Sequence, residues 1–95
     1  MSEVLSRPTK ELYQVILKLK TVDEAARFFR DLLTLPEITE FSKRFQIAKS
    51  LWKHQGSYAN IAQKLHVSTT TVTRVAHWLH HGRDGYKLVL DRSKL

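Results

Sequence analysis

The run SYANIAQKLHVSTTTVTRVAHW, Ser57 to Trp78, decides how this chain is read. Ser57 and Ser68 both have a hydroxyl suited to accept a backbone N–H at a helix start. The first serine opens about two turns, Tyr58 to Leu65. His66-Val67 forms a tight turn. The second serine opens about three turns, Thr69 to His81, stopped by Gly82. Two helices so joined make a helix-turn-helix. That geometry asks for an apolar residue followed by a small one where the helices cross, met by Ile61 and Ala62. It asks for an apolar residue before the turn (Leu65), a buried plug in it (Val67), and inward apolar residues on the second helix (Val72 and Val75). The first turn residue usually sits at positive φ and is glycine. Here it is His66, a residue type that tolerates this conformation better than β-branched ones.

The outward face of the second helix is expected to carry Ser68, Thr69, Thr70, Thr73, Arg74 and His77, with Lys64 from the helix before it. A recognition helix enters the major groove with its N-terminal residues toward base edges. Thr hydroxyls can bond bases or phosphates, Thr methyls can touch the thymine methyl, and Arg can fork onto guanine. Thr69, Thr70, Thr71 and Thr73 are poor helix formers, so helix stability alone does not explain them. A plain helical hairpin inside an α-domain is the competing reading.

The charge agrees with a polyanionic partner. Sixteen Lys and Arg against nine Asp and Glu give +7 over 95 residues. Residues 1–33 carry six basic and five acidic side chains, while residues 34–95 carry ten and four. No acid falls between Phe41 and Arg83, where Lys43, Arg44, Lys49, Lys53, Lys64 and Arg74 lie. A folded, acid-free basic stretch is the footprint of a nucleic-acid binder. With 42% apolar and 26% charged residues the chain is globular, not disordered. The absence of cysteine excludes disulfides and thiolate metal sites. No apolar run approaches the roughly 18 residues of a membrane span. Met1-Ser2-Glu3-Val4 lacks a leader layout, so no membrane partner and a cytoplasmic location are expected.

Working outward, Leu12, Val15, Ile16 and Leu19 predict a first helix over Thr9–Lys20. Thr21-Val22-Asp23-Glu24 is a capping box opening a second, with Phe28, Phe29, Leu32 and Leu33 near its end. Phe28 and Phe29 lie about 100° apart, too wide to bury together in a small monomer, which predicts a second copy as partner. A third helix starts at Thr34-Leu35-Pro36-Glu37 and runs on an Ile38, Phe41, Phe45, Ala48, Trp52 stripe, widened by Ile47 and Leu51. Gly56 is expected as its left-handed C′ residue. The tail turns at Asp84-Gly85, and Tyr86–Leu90 fits a short helix or an extended segment, with helix favoured. The expected fold is all-α, one domain of five to six helices. Residues 1–33 are dimerisation helices, 34–56 a central helix, 57–82 the helix-turn-helix, and 83–95 a tail or short helix.

The chain resembles the Trp repressor superfamily, most closely its YerC/YecD-type branch. The matching residues are Arg44-Phe45-Gln46-Ile47-Ala48-Lys49, Gly56-Ser57-Tyr58, Ile61-Ala62, Ser68-Thr69-Thr70-Thr71-Val72-Thr73-Arg74-Val75 and Gly82-Arg83-Asp84-Gly85-Tyr86-Lys87-Leu88. The resemblance implies a Trp-repressor-like, interlocked homodimer that binds double-stranded DNA with two recognition helices about one DNA turn apart. It also implies a tryptophan corepressor gripped by two arginines, matched by Arg44 and Arg74, and a partner-chain threonine, matched by Thr34. One residue departs: Val75 stands where the repressor has glycine against the indole, and its side chain should intrude there. No cofactor is assigned: Val75 argues against tryptophan, and tryptophan, another small effector and no ligand at all stay open, with no ligand favoured.

His77, His80 and His81 invite a metal reading, since His77 and His81 are one turn apart, but no acidic residue is near them and no metal is assigned. Trp52 continues the apolar stripe and reads as core, whereas Trp52 and Trp78 could also stack unpaired bases. No nucleophile–base spacing, Gly-rich phosphate loop or paired carboxylates suggest an enzyme. The expected function is a sequence-specific transcriptional regulator, a repressor. The alternatives are a protein-interaction module and an RNA-binding helical domain.

Overall fold

Serine and threonine hydroxyls start five of the six helices found among the described residues. The structure is a computed structural model that describes residues 5–93. Residues 1–4, read above for a leader, lie outside the described residues. The helices are α1 (Arg7–Ile16), α2 (Val22–Leu32), α3 (Leu35–Trp52), α4 (Tyr58–Leu65), α5 (Thr69–His81) and α6 (Gly85–Ser93). No strand occurs among the described residues, as the all-α expectation requires. Two compact units make up the chain, one through Ile38 and the other from Thr39 onward.

In the first unit Ser6 caps α1, accepting from the Thr9 N–H at 3.3 Å. The helix ends at Ile16, four residues before the Lys20 end that periodicity suggests. Tight bonds from Lys18 N to the Val15 carbonyl and from Leu19 N to that of Ile16 close it off. Leu19 continues the apolar spacing outside the helix, and spacing alone cannot register that. Thr21 caps α2 by accepting from Glu24 N at 3.1 Å, while the Glu24 carboxylate takes the Lys20 N–H at 2.9 Å. The box therefore closes one residue earlier than expected, on the residue before the cap. Thr34 and Glu37 form the reciprocal version. Glu37 N donates to Thr34 Oγ1 at 3.3 Å, and Glu37 Oε1 accepts from the Thr34 N–H and hydroxyl, each at 2.9 Å. The backbone N–H, then the hydroxyl, hold the Glu37 carboxyl below its ordinary range. This cap is complete above that range and is lost as acid protonates the carboxylate. Phe28 and Phe29 meet edge to face at 5.4 Å, both half-buried. Neither α1 nor α2 holds a buried residue, and Leu17 and Val22 are 84% and 88% exposed.

The second unit carries the core. Ile47, Val72, Leu79 and Leu90 are fully enclosed, with Ala48, Ile61, Ala62 and Val75 around them and Phe45, Leu51, Leu65, Val67 and Tyr86 packed outside. Each large side chain so buried stabilises the unit by about 1.5–3 kcal/mol. On α3 the inward stripe is Phe45, Ile47, Ala48 and Leu51. Trp52, read as core, is 36% exposed and Phe41 is exposed as well. Ile47 lies about 120° around the helix from Phe41 and about 140° from Trp52, so the face that buries Ile47 leaves those two toward its margins. The core meets that face, and Ile47, expected only to widen the stripe, lies at its centre.

Both ends of α3–α4 close on a left-handed histidine. At the end of α3, Gln55 N reaches the Ser50 carbonyl at 2.9 Å and His54 N that of Leu51 at 3.1 Å, with His54 at φ +53. This is a Schellman closure, and its C′ residue is His54, not the expected Gly56. Gly56 also has positive φ, +116, but serves the entry into α4. At the end of α4, Val67 N reaches the Ala62 carbonyl at 3.0 Å, with His66 at φ +57. His66 takes the glycine-like place that the sequence assigned to it. A side chain in that conformation costs about 1 kcal/mol or more. His66→Gly should therefore raise stability by about 0.5–1 kcal/mol in urea unfolding. A loss of stability there would mean that the imidazole makes favourable contacts of its own.

Candidate nucleic-acid interface

Two serines and a buried apolar row set the pose of α5. Ser57 caps α4 by accepting from Asn60 N at 3.1 Å, and Ser68 caps α5 by accepting from Thr71 N at 3.1 Å. All six residues that the motif requires point inward: Ile61, Ala62, Val72 and Val75 are buried, and Leu65 and Val67 pack against them. With Val72, Val75, Ala76 and Leu79 turned into the core, the opposite face of α5 is forced outward.

That face bears the expected residues. Ser68, Thr69, Thr70, Thr73, Arg74 and His77 are all exposed, as is Lys64 on α4. Their side chains are not equally available. The Ser68 hydroxyl is held in the cap and lies 2.9 Å from that of Thr71, which is half-buried. The Thr73 hydroxyl donates back to the Thr69 carbonyl at 3.0 Å, a local bond that leaves its oxygen only as an acceptor. No hydrogen bond among the described residues engages the hydroxyl of Thr69 or Thr70, and no ion pair engages Arg74. Thr69, Thr70, Arg74 and Lys64 are therefore the groups open to a ligand. An exposed guanidinium that no ion pair engages keeps its charge for an anionic partner.

His77 stacks edge-on to Trp78 at 5.5 Å and lies 5.5 Å from the His81 ring. No cluster of three or more metal-ligating side chains occurs among the described residues. Trp78 is 58% exposed, one turn beyond Arg74 on the same face. Tyr58 and Gln63, exposed on α4, are absent from the sequence-derived set. The first helix of such a motif crosses the DNA backbone, and that position was the only signal available for them.

The three residues matched to a corepressor grip are occupied differently. Thr34 is tied into the α3 cap with Glu37. Arg44 pairs with Glu40 at 3.2 Å and lies 5.6 Å over the Phe41 ring, both on its own helix. Arg74 is exposed, and the adjoining Val75, 4% exposed, is part of the core. No helix among the described residues is long and apolar enough to cross a membrane.

The fold is shared with other proteins. The family model described as Trp repressor protein matches residues 8–94. The chain is 38% identical over 84 residues to the uncharacterized protein YerC of Bacillus subtilis (strain 168), covering 88% of this chain and 80% of that one. It is similar to the crystal structure of a TrpR-like protein from Eubacterium eligens ATCC 27750, with TM-score 0.90 and 42% identity. That match covers 95% of this chain and 92% of the other. A candidate Trp repressor from Staphylococcus aureus matches with TM-score 0.88 and 39% identity, covering 95% of this chain and 89% of that one. A match over nearly the whole length, by sequence and by fold alike, leads to one statement: this chain belongs to the Trp repressor family, a family of regulators and not of enzymes.

Proposed function

We propose that the protein is a sequence-specific DNA-binding transcriptional regulator, a repressor that works in the cytoplasm as a homodimer. The observation that carries this reading is the open, acid-free ridge of Thr69, Thr70, Arg74 and His77 on a helix whose other face is locked in the core. Ser68 and Thr73 complete the ridge through backbone-facing bonds, and Lys64 flanks it as a phosphate contact. Membership of the family supports the same reading. A mobility-shift assay on genomic fragments tests it. Salt-dependent binding that survives competitor DNA is expected. No binding at about 50 mM salt would remove the proposal, and preference for structured RNA of equal length would replace it with an RNA reading.

Residues 1–33 act as the dimerisation helices in this proposal. An α1 and α2 without one buried residue leave apolar surface that a second copy would cover. A monomer at micromolar concentration in sedimentation would defeat the dimer.

Thr70→Ala should change which sequences are bound more than it changes salt dependence, because Thr70 carries no charge. Selection of bound sequences from a random pool checks this, and an equal loss on every sequence would contradict base reading by Thr70. An effector pocket of Arg44 and Arg74 with Thr34 from the partner chain belongs to the same proposal. Val75 puts a branched side chain where an indole needs bare backbone, so saturating L-tryptophan should shift DNA affinity by less than about twofold. A larger shift in the same assay would restore tryptophan as corepressor.

A further inference from the structure

The last turns of α5 carry two imidazoles that no hydrogen bond or ion pair among the described residues engages. His77 and His81 stand four residues apart, so the helix sets them one above the other on one face. Both are exposed, and their ring centres lie 5.5 Å apart at a tilt of 44°. That spacing suits a shared ion. An imidazole nitrogen holds zinc at about 2.0–2.1 Å, which puts the ring centre about 3.2 Å from the ion. Two rings meeting one ion at about 90–120° then have centres about 4.5–5.5 Å apart. The observed separation falls at the wide end of that range, so the rings can close on an ion by side-chain rotation alone. His80, next in sequence to His81, is directed elsewhere. Its ring centre is 6.5 Å from that of His81, and it lines the hollow beside Leu51 and His54. Two imidazoles leave the remaining coordination positions to water, which makes the site open and its affinity modest.

We propose that His77 and His81 chelate a divalent transition-metal ion, copper or zinc. The donor set decides the class. Imidazole suits copper and zinc, whereas magnesium and calcium need oxygen ligands. No carboxylate joins the pair among the described residues. An ion there ties two successive turns of α5 together, just before Gly82 N donates to the Trp78 carbonyl at 3.0 Å. Binding to the folded chain alone therefore stabilises it. The ion also stands about 7 Å along the helix from Arg74, within a Debye length at ordinary salt. It adds two positive charges to a ridge that has no acid of its own, so DNA affinity rises with metal. This last step rests on the regulator reading, while metal binding is measured without DNA.

The test titrates the full chain, in neutral buffer, with Cu²⁺ and Zn²⁺, and with Mg²⁺ as the oxygen-seeking control. Calorimetry should show saturable binding of one ion per chain, copper tighter than zinc, with no binding of magnesium. The thermal midpoint should rise with copper and zinc and stay fixed with magnesium. His77→Gln and His81→Gln should each weaken metal binding about tenfold or more. His80→Gln, which changes the neighbouring histidine, should leave it unaltered. No binding below about 1 mM copper, or a loss in His80→Gln as large as in His81→Gln, would overturn the site. For DNA, zinc should tighten binding by about threefold or more in the mobility shift. His81→Gln should abolish that gain while keeping the metal-free affinity. Zinc that binds the chain without changing DNA affinity would overturn the electrostatic role. Absence of DNA binding with the site still saturable would defeat the regulator reading and leave the metal site standing.

Discussion

Arg74→Ala is expected to weaken binding to a selected DNA site by about 30-fold or more while leaving the fold intact. The guanidinium is exposed, and no ion pair among the described residues restrains it. A good Arg fork onto guanine contributes about 1–3 kcal/mol of discrimination. A dimer presents two such forks, so the variant loses both, and losses at separated positions add. Stability should change little, because Val72, Val75 and Leu79, which hold α5 in place, point the opposite way. Mobility shift for affinity and thermal unfolding for stability separate the two effects. If affinity is unchanged, Arg74 lies outside the interface. If the protein unfolds, Arg74 has a structural role that its exposure does not suggest.

Two glycines only three residues apart should respond to alanine with opposite signs. A Cβ on Gly82 would lie 2.3 Å from the Trp78 carbonyl oxygen and 3.2 Å from its carbonyl carbon, both backbone atoms of the last turn of α5. Backbone cannot swing aside as a side chain can. Gly82→Ala must therefore break the bond from Gly82 N to the Trp78 carbonyl, 3.0 Å long, or open the turn that leads into α6. Leu90 of α6 is fully buried in the core, so a displaced α6 also loses core packing. The expected cost is about 2–4 kcal/mol, a large part of the stability of a small protein. At Gly85 an added Cβ meets nothing within 4 Å. Gly85→Ala, at the first residue of α6, should stabilise by up to about 1 kcal/mol through helix preference and a less flexible unfolded chain. Urea unfolding of the pair checks this. Equal and small changes in both would show that the end of α5 yields more easily than its geometry suggests.

The helix-turn-helix was legible in the sequence because its constraints are local. Ile61, Ala62, Leu65, Val67, Val72 and Val75 lie within fifteen residues, and each is fixed by contact with the others. The outward face of α5 then followed from helical geometry. The hydrogen bonds that divide it did not. Whether a Thr hydroxyl donates to the carbonyl four residues back, as at Thr73, depends on its rotamer, and composition does not contain that. The end of α1 was misplaced because Leu19 keeps the period beyond the last helical turn and no Gly or Pro marks the stop. The cap of α3 was placed two residues late because Gly56 is the usual signal, while His54 takes the left-handed turn. Trp52 reads as core by spacing, but its exposure depends on what stands opposite, which a single stripe does not record. Tyr86–Leu90 was ambiguous in isolation. It is helix because Leu90, one turn after Tyr86, reaches the same core.

The central claim is that the outer ridge of α5 lies in a major groove. Dimethyl sulfate footprinting of a genome-selected fragment tests it most directly, since the guanine N7 that it methylates faces that groove. The account predicts two patches of guanine protection about 10 base pairs apart, both lost with Arg74→Ala. Full methylation at every guanine under saturating protein, or protection that persists without Arg74, would contradict it.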